Sequence, residues 1–375
     1  MVRKKSNRQQ HMDLTFSPSA TDAILSAAQI RALRDALDGR LIALCFGSGV
    51  DSTAMMVALR VAGVRPHVIT FADTGGEKPE TLAHLDRMQA VLALWGWPPI
   101  DVVRTKTLPS TGYTTLLGNC LANETLPSLA FGMSSCSLKW KAHCQDQFLM
   151  GARSGPNARP EHAVWVEAKA AGQKVVKLIG YDCSKADTRR AKRVADVESP
   201  FDYVYPLQLL GWVRSDCVSA IARFLGVDMV PIKSACFFCP ASKHWELYWL
   251  AAMHPELFEQ ALHMERVALT GRHSRFDAVE FGGKSWEEMV ATSDRFPSTK
   301  TTVGLGRSFA WNQWARVNGV VDAEFRVVRA RREEFLLLAK TLGGADNAFD
   351  ARSCSEIAES EVEAQQLREL EEAFA

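Results

Sequence analysis

Short apolar runs alternate with stretches of helical periodicity along the first part of the chain. Residues 41–46 form a continuous apolar run of strand length, which is typical of a strand that is buried on both faces. Similar runs predict strands over 67–72, 100–104, 174–179 and 203–207, and helical spacing of apolar residues predicts helices over 21–37, 49–62 and 79–95. Strands that alternate with helices in this way are joined by right-handed crossovers. The pattern therefore predicts an α/β fold with a doubly wound, mainly parallel five-stranded sheet and helices on both faces.

The remaining segments depart from this alternation. Residues 106–135 are rich in Thr, Ser, Gly and Pro, and a loop of this length in a compact domain indicates a lid or a binding element. After Pro240 the pattern is mostly helical with one interruption: helical to residue 270, irregular over 271–310 and helical again over 322–340. We therefore expect three regions: a flexible basic tail (1–20), an α/β domain (21–235) and a mostly helical C-terminal region (236–375).

Composition narrows the class of protein. Of the 375 residues, 47% are hydrophobic and 23% are charged, which is a globular composition and excludes a wholly disordered or collagen-like chain. The net charge of +1 argues against a uniformly basic surface, but it conceals a basic segment over 185–193 and an acidic C-terminal tail. No apolar run approaches the roughly 18 residues of a membrane span, and no apolar stretch follows the basic N-terminus. We therefore expect a cytoplasmic protein without a membrane anchor.

The strongest local signal is the sequence Cys-Phe-Gly-Ser-Gly-Val-Asp-Ser-Thr over residues 45–53. It follows the first predicted strand and opens a helix, and its small residues let backbone N–H groups approach an anion at a helix N-terminus. We expect the hydroxyls of Ser48, Ser52 and Thr53 to donate hydrogen bonds to phosphate oxygens. A P-loop is excluded because the Gly-Lys-Ser/Thr ending is missing, and in a dinucleotide fingerprint Asp51 would point its charge at the pyrophosphate. An acid at this position suits a Mg²⁺ ion that bridges phosphate oxygens.

Residues 47–52 resemble the PP-loop, Ser-Gly-Gly-x-Asp-Ser, of the ATP pyrophosphatases and the PAPS reductase-like proteins. Gly47 stands where that family usually has Ser, and Ser48 stands where it usually has Gly. Segments that resemble other parts of the family follow in the family's order, over residues 71–77, 135–141, 180–190 and 206–240. In the third of these, Asp182 replaces the family's first Arg.

The resemblance implies a HUP-type PP-loop fold and a site for ATP, or a related adenine nucleotide, with Mg²⁺. Positions within the matching segments imply two sets of residues. The nucleotide set is Gly47, Ser48, Gly49, Val50, Ser52, Thr53, Phe71, Asp73 and Gly180. The catalytic set is Asp51, Lys139, Arg189 and Arg190. Within it, Asp51 is expected to help place the metal.

Nine cysteines in a chain expected to be cytoplasmic favour metal or redox chemistry over disulfide bonds. Cys236 and Cys239 have the two-residue spacing that lets both sulfurs reach one metal, although a redox-active pair uses the same spacing. In PAPS and APS reductase-like relatives, cysteines at the position of Cys136 join such a pair around a [4Fe–4S] cluster, so the resemblance implies that cluster here. The fourth ligand is open, and the candidates are Cys144, about two helical turns further on, and, with zinc as the alternative metal, His143 and His244.

These features predict an adenylyl-transfer enzyme of the ATP pyrophosphatase type. It would cleave ATP at the α-phosphate, release pyrophosphate and support iron–sulfur-assisted sulfur transfer. The basic segment is either an exposed helix face or a site for phosphate groups, and its members are Lys185, Arg189, Arg190, Lys192 and Arg193. If it binds phosphate groups, a nucleic acid is the expected acceptor. The sulfur donor would be a protein such as a cysteine desulfurase.

Two other functions stay open at this point. A PAPS or APS reductase would use a cysteine in a C-terminal Cys-Gly-(Leu/Ile)-His tail, whereas Cys354 stands in Arg-Ser-Cys-Ser and no such tail follows. A non-catalytic nucleotide-sensing or nucleic-acid-binding module would explain the exchanged positions of Gly47 and Ser48.

Overall fold

The structure, a computed structural model, describes residues 24–131, 135–155, 158–195, 198–270 and 304–343. Four predicted features lie wholly or mostly outside the described residues: the basic tail, the irregular stretch over 271–310, Cys354 and the acidic C-terminal tail.

Five parallel strands form one sheet. They are β1 (Ile42–Phe46), β2 (Val68–Ala72), β3 (Ile100–Val103), β4 (Val176–Ile179) and β5 (Asp202–Val204), in the order β3-β2-β1-β4-β5. The prediction of a parallel five-stranded sheet is confirmed. β5 ends earlier than predicted, because Pro206 has no N–H to offer a sheet and starts a helix instead.

Helices connect the strands and continue through the C-terminal region. Their ends carry ordinary signals: the Ser26 side chain accepts a hydrogen bond from Gln29 N at the start of the first helix, and Gly63 ends the second in a left-handed conformation. The helices are α1 (Ala27–Leu37), α2 (Val50–Ala62), α3 (Pro79–Trp95), α4 (Leu116–Ala122), α5 (His143–Met150), α6 (Ala163–Ala170), α7 (Lys185–Ala195), α8 (Pro206–Leu210), α9 (Arg214–Leu225), α10 (His244–Met253), α11 (Pro255–Thr270), α12 (Trp311–Val317) and α13 (Arg332–Gly343). None of the described helices has both the length and the apolar character of a membrane-spanning segment.

Both faces of the sheet are covered by helices, as a doubly wound fold requires. On one face, α1, α2, α3 and α9 pack against side chains that include Leu44 and Phe46 of β1. On the other face, α5 and α6 pack against Ala43 of β1 and against Val68 and Val175. Since neighbouring side chains of a strand point to opposite faces, two covered faces explain why β1 is apolar throughout.

A second hydrophobic core joins two distant parts of the sequence. Helices α10 to α13 contribute most of it, and Leu116, Cys120, Leu126 and Trp140 pack into the same core. The segment predicted to be a lid or a binding element therefore contains α4 and is partly built into this core. The last predicted helix (322–340) starts later, at Arg332, because an antiparallel bridge between Val321 and Val327 comes before it.

Candidate functional site

The glycine-rich loop between β1 and α2 lies at the point where the strand order reverses. β1 leads to β2 on one side of the sheet centre, whereas β4 lies on the other side, and such a switch point opens a crevice at the carboxyl ends of the strands. Gly180 follows β4 directly, and a Cβ atom there would lie 3.0 Å from the backbone nitrogen of Ser52. The close approach of these two loops therefore requires glycine at position 180.

The backbone N–H groups of this loop converge on one point. Gly47 N and Gly49 N donate hydrogen bonds to Ser52 Oγ over 3.1 and 3.3 Å. α2 begins at Val50, so the positive end of its dipole adds to the same region. The helix terminus favours an anion there, which would take the place of Ser52 Oγ as the acceptor for Gly47 N and Gly49 N.

Two hydroxyls of the loop point elsewhere. Ser48 Oγ donates to Thr81 O over 2.8 Å, and Thr53 Oγ1 donates to Gly49 O over 2.9 Å. Both side chains are completely buried. Ser52 Oγ likewise donates within the loop, to Gly49 O over 3.1 Å. The expectation that Ser48, Ser52 and Thr53 offer hydroxyl groups to phosphate is corrected accordingly, because their hydroxyl protons are used within the protein. These residues contribute to the loop through their backbone.

Asp51 stands at the start of α2 in a charged environment. Its Oδ2 atom lies 3.0 Å from a guanidinium nitrogen of Arg214, and its Oδ1 atom is buried with no hydrogen-bond partner among the described residues. Burial raises the pKa of Asp51 to about 6 against the opposing charge of Arg214, and Asp182 and Asp187 add to the rise. An excess of buried negative charge with a free oxygen suits a cation.

The two residues expected to contact the nucleoside are held by the protein itself. Both carboxylate oxygens of Asp73 have partners: Arg104 Nε at 2.8 Å and Gly75 N at 2.7 Å. Phe71 is 2% exposed and its ring belongs to the core under the sheet. Their roles toward a nucleotide stay predictions, and a ribose would have to share Asp73 with Arg104.

The predicted cations separate into two groups. Arg190 pairs with Asp187 at 2.7 Å and so lies near the loop, since Asp187 acts on Asp51. Arg189 is exposed and its Nε atom donates to Lys185 O. Lys139 is also exposed and lies over the ring of Trp140, whereas Lys141 faces inward.

A cavity of about 180 Å³ brings three of the predicted metal ligands together. Cys136, Cys236 and Cys239 line it, and Lys141 is part of the same wall. The Sγ atom of Cys236 lies 3.2 Å from Thr74 Oγ1. We refer to this space as the cysteine pocket.

Cys144 lies outside the cysteine pocket. Its thiol donates to Lys141 O over 3.1 Å and packs near Ala72 and Val103. The prediction that Cys144 faces Cys136 assumed ordinary α-helical spacing. The chain between them contains a π-helical turn (Leu138–Ala142), which has more residues per turn and so rotates Cys144 onto another face. Neither His143, which is exposed, nor His244 belongs to the pocket wall.

A different cysteine, Cys120 of α4, lies close to the pocket. It belongs to the second core together with Cys236, and Cys136 packs against that core. Burial raises the pKa of Cys120 to about 12, and the neighbouring Cys136 and Cys236 add to the rise. Burial raises the pKa of Cys236 to about 12 as well, so both thiols are protonated at neutral pH. Nowhere in the described ranges do three His, Cys, Asp or Glu side chains form a group that could hold a metal ion.

Three lysine–glutamate pairs lie near the cysteine pocket. Lys141 Nζ lies 3.5 Å from Glu77 Oε1, which also accepts a hydrogen bond from Thr74 Oγ1 over 3.0 Å. On the other side, Glu246 is 2% exposed and pairs with Lys233 at 2.6 Å and Lys78 at 3.4 Å. Three ammonium groups thus face two carboxylates, which leaves one positive charge in excess beside the thiols.

Ser234 joins the cysteine pocket to the glycine-rich loop. It lines the pocket, and a Cβ atom at Gly49 would lie only 2.4 Å from Ser234 Oγ. A side chain at position 49 would therefore contact Ser234, in the segment that carries Cys236 and Cys239. The two candidate sites are neighbours.

A larger cavity, of about 580 Å³, lies at the opposite edge of the sheet, where β1 begins. Its arginines include Arg34 and Arg40. Arg34 Nε donates to Ala62 O over 2.7 Å, and Arg40 pairs with Asp202. The C-terminal ends of α1 and α2 meet there, and their carbonyl groups disfavour an anion. We assign no ligand site to this cavity.

The fold and the site together define an α/β protein in which a glycine-rich loop of the anion-binding type joins the central strand to a helix. This loop borders the cysteine pocket. No protein-family model matches the chain, and no curated protein matches it. Among solved structures, the crystal structure of phosphoadenylyl-sulfate (PAPS) reductase from Candida auris, a phosphate complex, is similar to part of it. The similar region covers 56% of this chain and 87% of that chain, with 14% sequence identity and a TM-score of 0.30. The fold class follows from the strand order and does not depend on this weak likeness.

Proposed function

We propose that this chain is a PP-loop enzyme related to the PAPS reductase-like proteins. It binds ATP, cleaves it at the α-phosphate with release of pyrophosphate, and thereby activates an acceptor for sulfur transfer. One observation carries the proposal: Ser234, which lines the cysteine pocket, lies against Gly49 of the glycine-rich loop. A nucleotide-activating site and a sulfur site would have to be neighbours in such an enzyme.

The nucleotide half of the proposal rests on the loop. Its N–H groups and the start of α2 hold the phosphates, and the Asp51 carboxylate is the group offered to Mg²⁺. An acceptor oxygen attacks the α-phosphorus, the bond to the bridging oxygen breaks, and pyrophosphate leaves. The chain contributes positioning and charge compensation, and Arg190 is the side chain proposed to balance charge on the α-phosphate.

The sulfur half rests on the cysteine pocket. Zinc and iron–sulfur clusters share this type of donor, and the described residues contain no preformed group for either. A cluster spreads its thiolate ligands around several irons, and three thiols around one cavity, with a positive charge in excess, are a donor set of that kind. Cys136, Cys236 and Cys239 would hold a [4Fe–4S] cluster, which when bound supplies an iron site for a sulfur species. A donor protein such as a cysteine desulfurase carries sulfur as a persulfide, and a thiol that attacks it releases hydrosulfide and leaves a disulfide. Hydrosulfide then displaces AMP, which leaves with the acceptor oxygen.

A nucleic acid is the acceptor that the surface favours. α7 exposes four cations that pair with no carboxylate among the described residues: Lys185, Arg189, Lys192 and Arg193. The same helix places Arg190 and Asp187 near Asp51, so a phosphate backbone on α7 would lie beside the nucleotide site.

The first experiment measures pyrophosphate release from ATP and Mg²⁺ by the full chain, purified without oxygen. Asp51→Asn should lower this release by about 100-fold or more, because it removes the charge that faces the metal. Asp202→Asn is the matched control, since Asp202 pairs with Arg40 at the far edge of the sheet, and it should leave the rate unchanged. Unchanged release by Asp51→Asn would contradict the metal role. Sulfite release from PAPS with thioredoxin, in place of pyrophosphate release, would assign the chain to the reductases.

A further inference from the structure

Helix α3 holds the glycine-rich loop from behind. Two hydrogen bonds connect them: Ser48 Oγ donates to Thr81 O over 2.8 Å, and Thr53 Oγ1 lies 3.0 Å from His84 Nε2. All of these side chains are at most 2% exposed. We call this pair of contacts the α3 clamp.

Ser48 adopts an unusual backbone conformation that the clamp secures. Its φ angle is +52°, a left-handed value that a residue with a Cβ atom adopts only at a cost in energy. The hydroxyl bond to α3 offsets this cost in the one orientation the loop needs. Glycine would relieve the strain but would release the loop from α3.

His84 acts on the loop through Thr53. Thr53 Oγ1 donates to Gly49 O, and in the tautomer with a proton on Nε2 His84 donates to Thr53 Oγ1. The resulting chain runs from His84 to Thr53 to the Gly49 carbonyl. Since a trans peptide is planar, a carbonyl held toward α2 directs the N–H of Val50 the opposite way, out of the helix.

We propose that His84 and Ser48 are positioning residues: through the α3 clamp they hold the glycine-rich loop in its anion-binding conformation before any ligand arrives. The inference rests on the proposed function, because an anion is what the loop is held ready to receive. Preorganised N–H groups bind an anion more tightly, since no ordering remains to be done on binding.

The first test measures amide hydrogen exchange of the loop (47–53) in the full chain without ligand. Ser48→Ala and His84→Leu each remove one bond of the clamp, and loop exchange should become about tenfold faster. His84→Gln keeps an N–H donor and should restore slow exchange, which a simple packing role would not explain. His67→Leu is the matched control, because His67 Nδ1 accepts a hydrogen bond from Ile42 N at the other edge of the sheet. If His84→Leu does not fold, Ser48→Gly tests the same clamp, because it removes the hydroxyl and at the same time relieves the backbone strain at φ +52°.

The second test measures binding of ATP and of inorganic pyrophosphate by calorimetry. Both should bind about tenfold more weakly to Ser48→Ala, with His84→Gln close to the wild type. Unchanged loop exchange and unchanged affinity in Ser48→Ala and His84→Leu would overturn the clamp. Normal pyrophosphate binding without ATP cleavage would overturn the proposed function and leave the clamp standing. Failure of the wild-type chain to bind either ligand would overturn both.

Discussion

His84 is a neutral histidine enclosed by protein. Burial lowers its pKa to about 3, whereas an unfolded histidine has a pKa of 6.5. Between these values the unfolded chain binds one more proton than the folded chain, so the free energy of unfolding must fall as the pH drops below 6.5. At pH 5 the loss from this group is about 2 kcal/mol.

The measurement is urea unfolding at pH 7.5 and at pH 5, for the wild type and for His84→Gln. We expect the variant to lose less stability between the two pH values, because glutamine does not titrate. Equal pH dependence in both proteins would show that His84 is not the neutral, enclosed group described above.

Cysteine variants test which cysteines belong to the proposed cluster site and which do not. Cys120 lies near Cys136 and Cys236, whereas Cys144 is bonded to the backbone of its own helix. We expect Cys144→Ser to keep the visible absorbance and the iron content of anaerobically purified protein. Cys236→Ser and Cys239→Ser should lower both, because these residues are two of the three proposed ligands. Colourless wild-type protein with stoichiometric zinc would contradict the cluster.

At the scale of elements, the contact between Gly49 and Ser234 predicts an energetic coupling. Gly49→Ala would place a methyl group 2.4 Å from Ser234 Oγ, so either the Ser234 side chain must turn away or the loop must shift. We expect Gly49→Ala to weaken ATP binding, and the double variant Gly49→Ala/Ser234→Gly to recover most of the affinity. A double-mutant cycle measures this coupling, and additive effects would contradict the contact.

The elements that are predictable are those with a strong local signal. β1 and α2 follow from an apolar run and from a glycine-rich turn, and both are found close to the predicted positions. The side of a helix on which a residue lies is less secure: the prediction for Cys144 is wrong, because nothing in residues 138–142 announces a π-helical turn. Likewise, a hydroxyl in the sequence does not reveal its acceptor, and Ser48 donates to α3 and not toward the loop opening.

Contacts between distant parts of the chain could not be predicted. Arg214, Ser234 and Cys120 all contribute to the candidate site, but each is brought there by a separate helix or loop. The sequence around Cys120 favours a packing role, although its place in a segment predicted to bind a ligand is a usable hint. Glu77 and Lys141 lie within segments that the sequence already singles out, so only their pairing is new.

At the scale of the whole molecule, the exposed cations of α7 predict salt-dependent nucleic-acid binding. Replacing Arg189, Lys192 and Arg193 by alanine should weaken binding of a duplex and of a single strand alike. For duplex DNA, the slope of log K against log salt should become shallower by about 0.9 for each phosphate that no longer has a cation beside it. Arg329→Ala is the control, since Arg329 pairs with Glu256 on the second core. An unchanged slope in the triple variant would exclude α7 as the binding surface.

The second core has a consequence for how the protein is made. Leu116, Leu126 and Trp140 are covered by helices that the ribosome synthesises much later, and Cys236 follows Cys136 by 100 residues. At about 5–20 residues per second, the nascent chain carries these apolar side chains without their final cover for roughly 5–45 s. At the same rate, Cys136 is synthesised roughly 5–20 s before Cys236. We therefore expect a chaperone that binds apolar segments to contact the growing chain between Leu116 and Trp140. The cysteine pocket can form only after Cys236 has been synthesised and has left the ribosome.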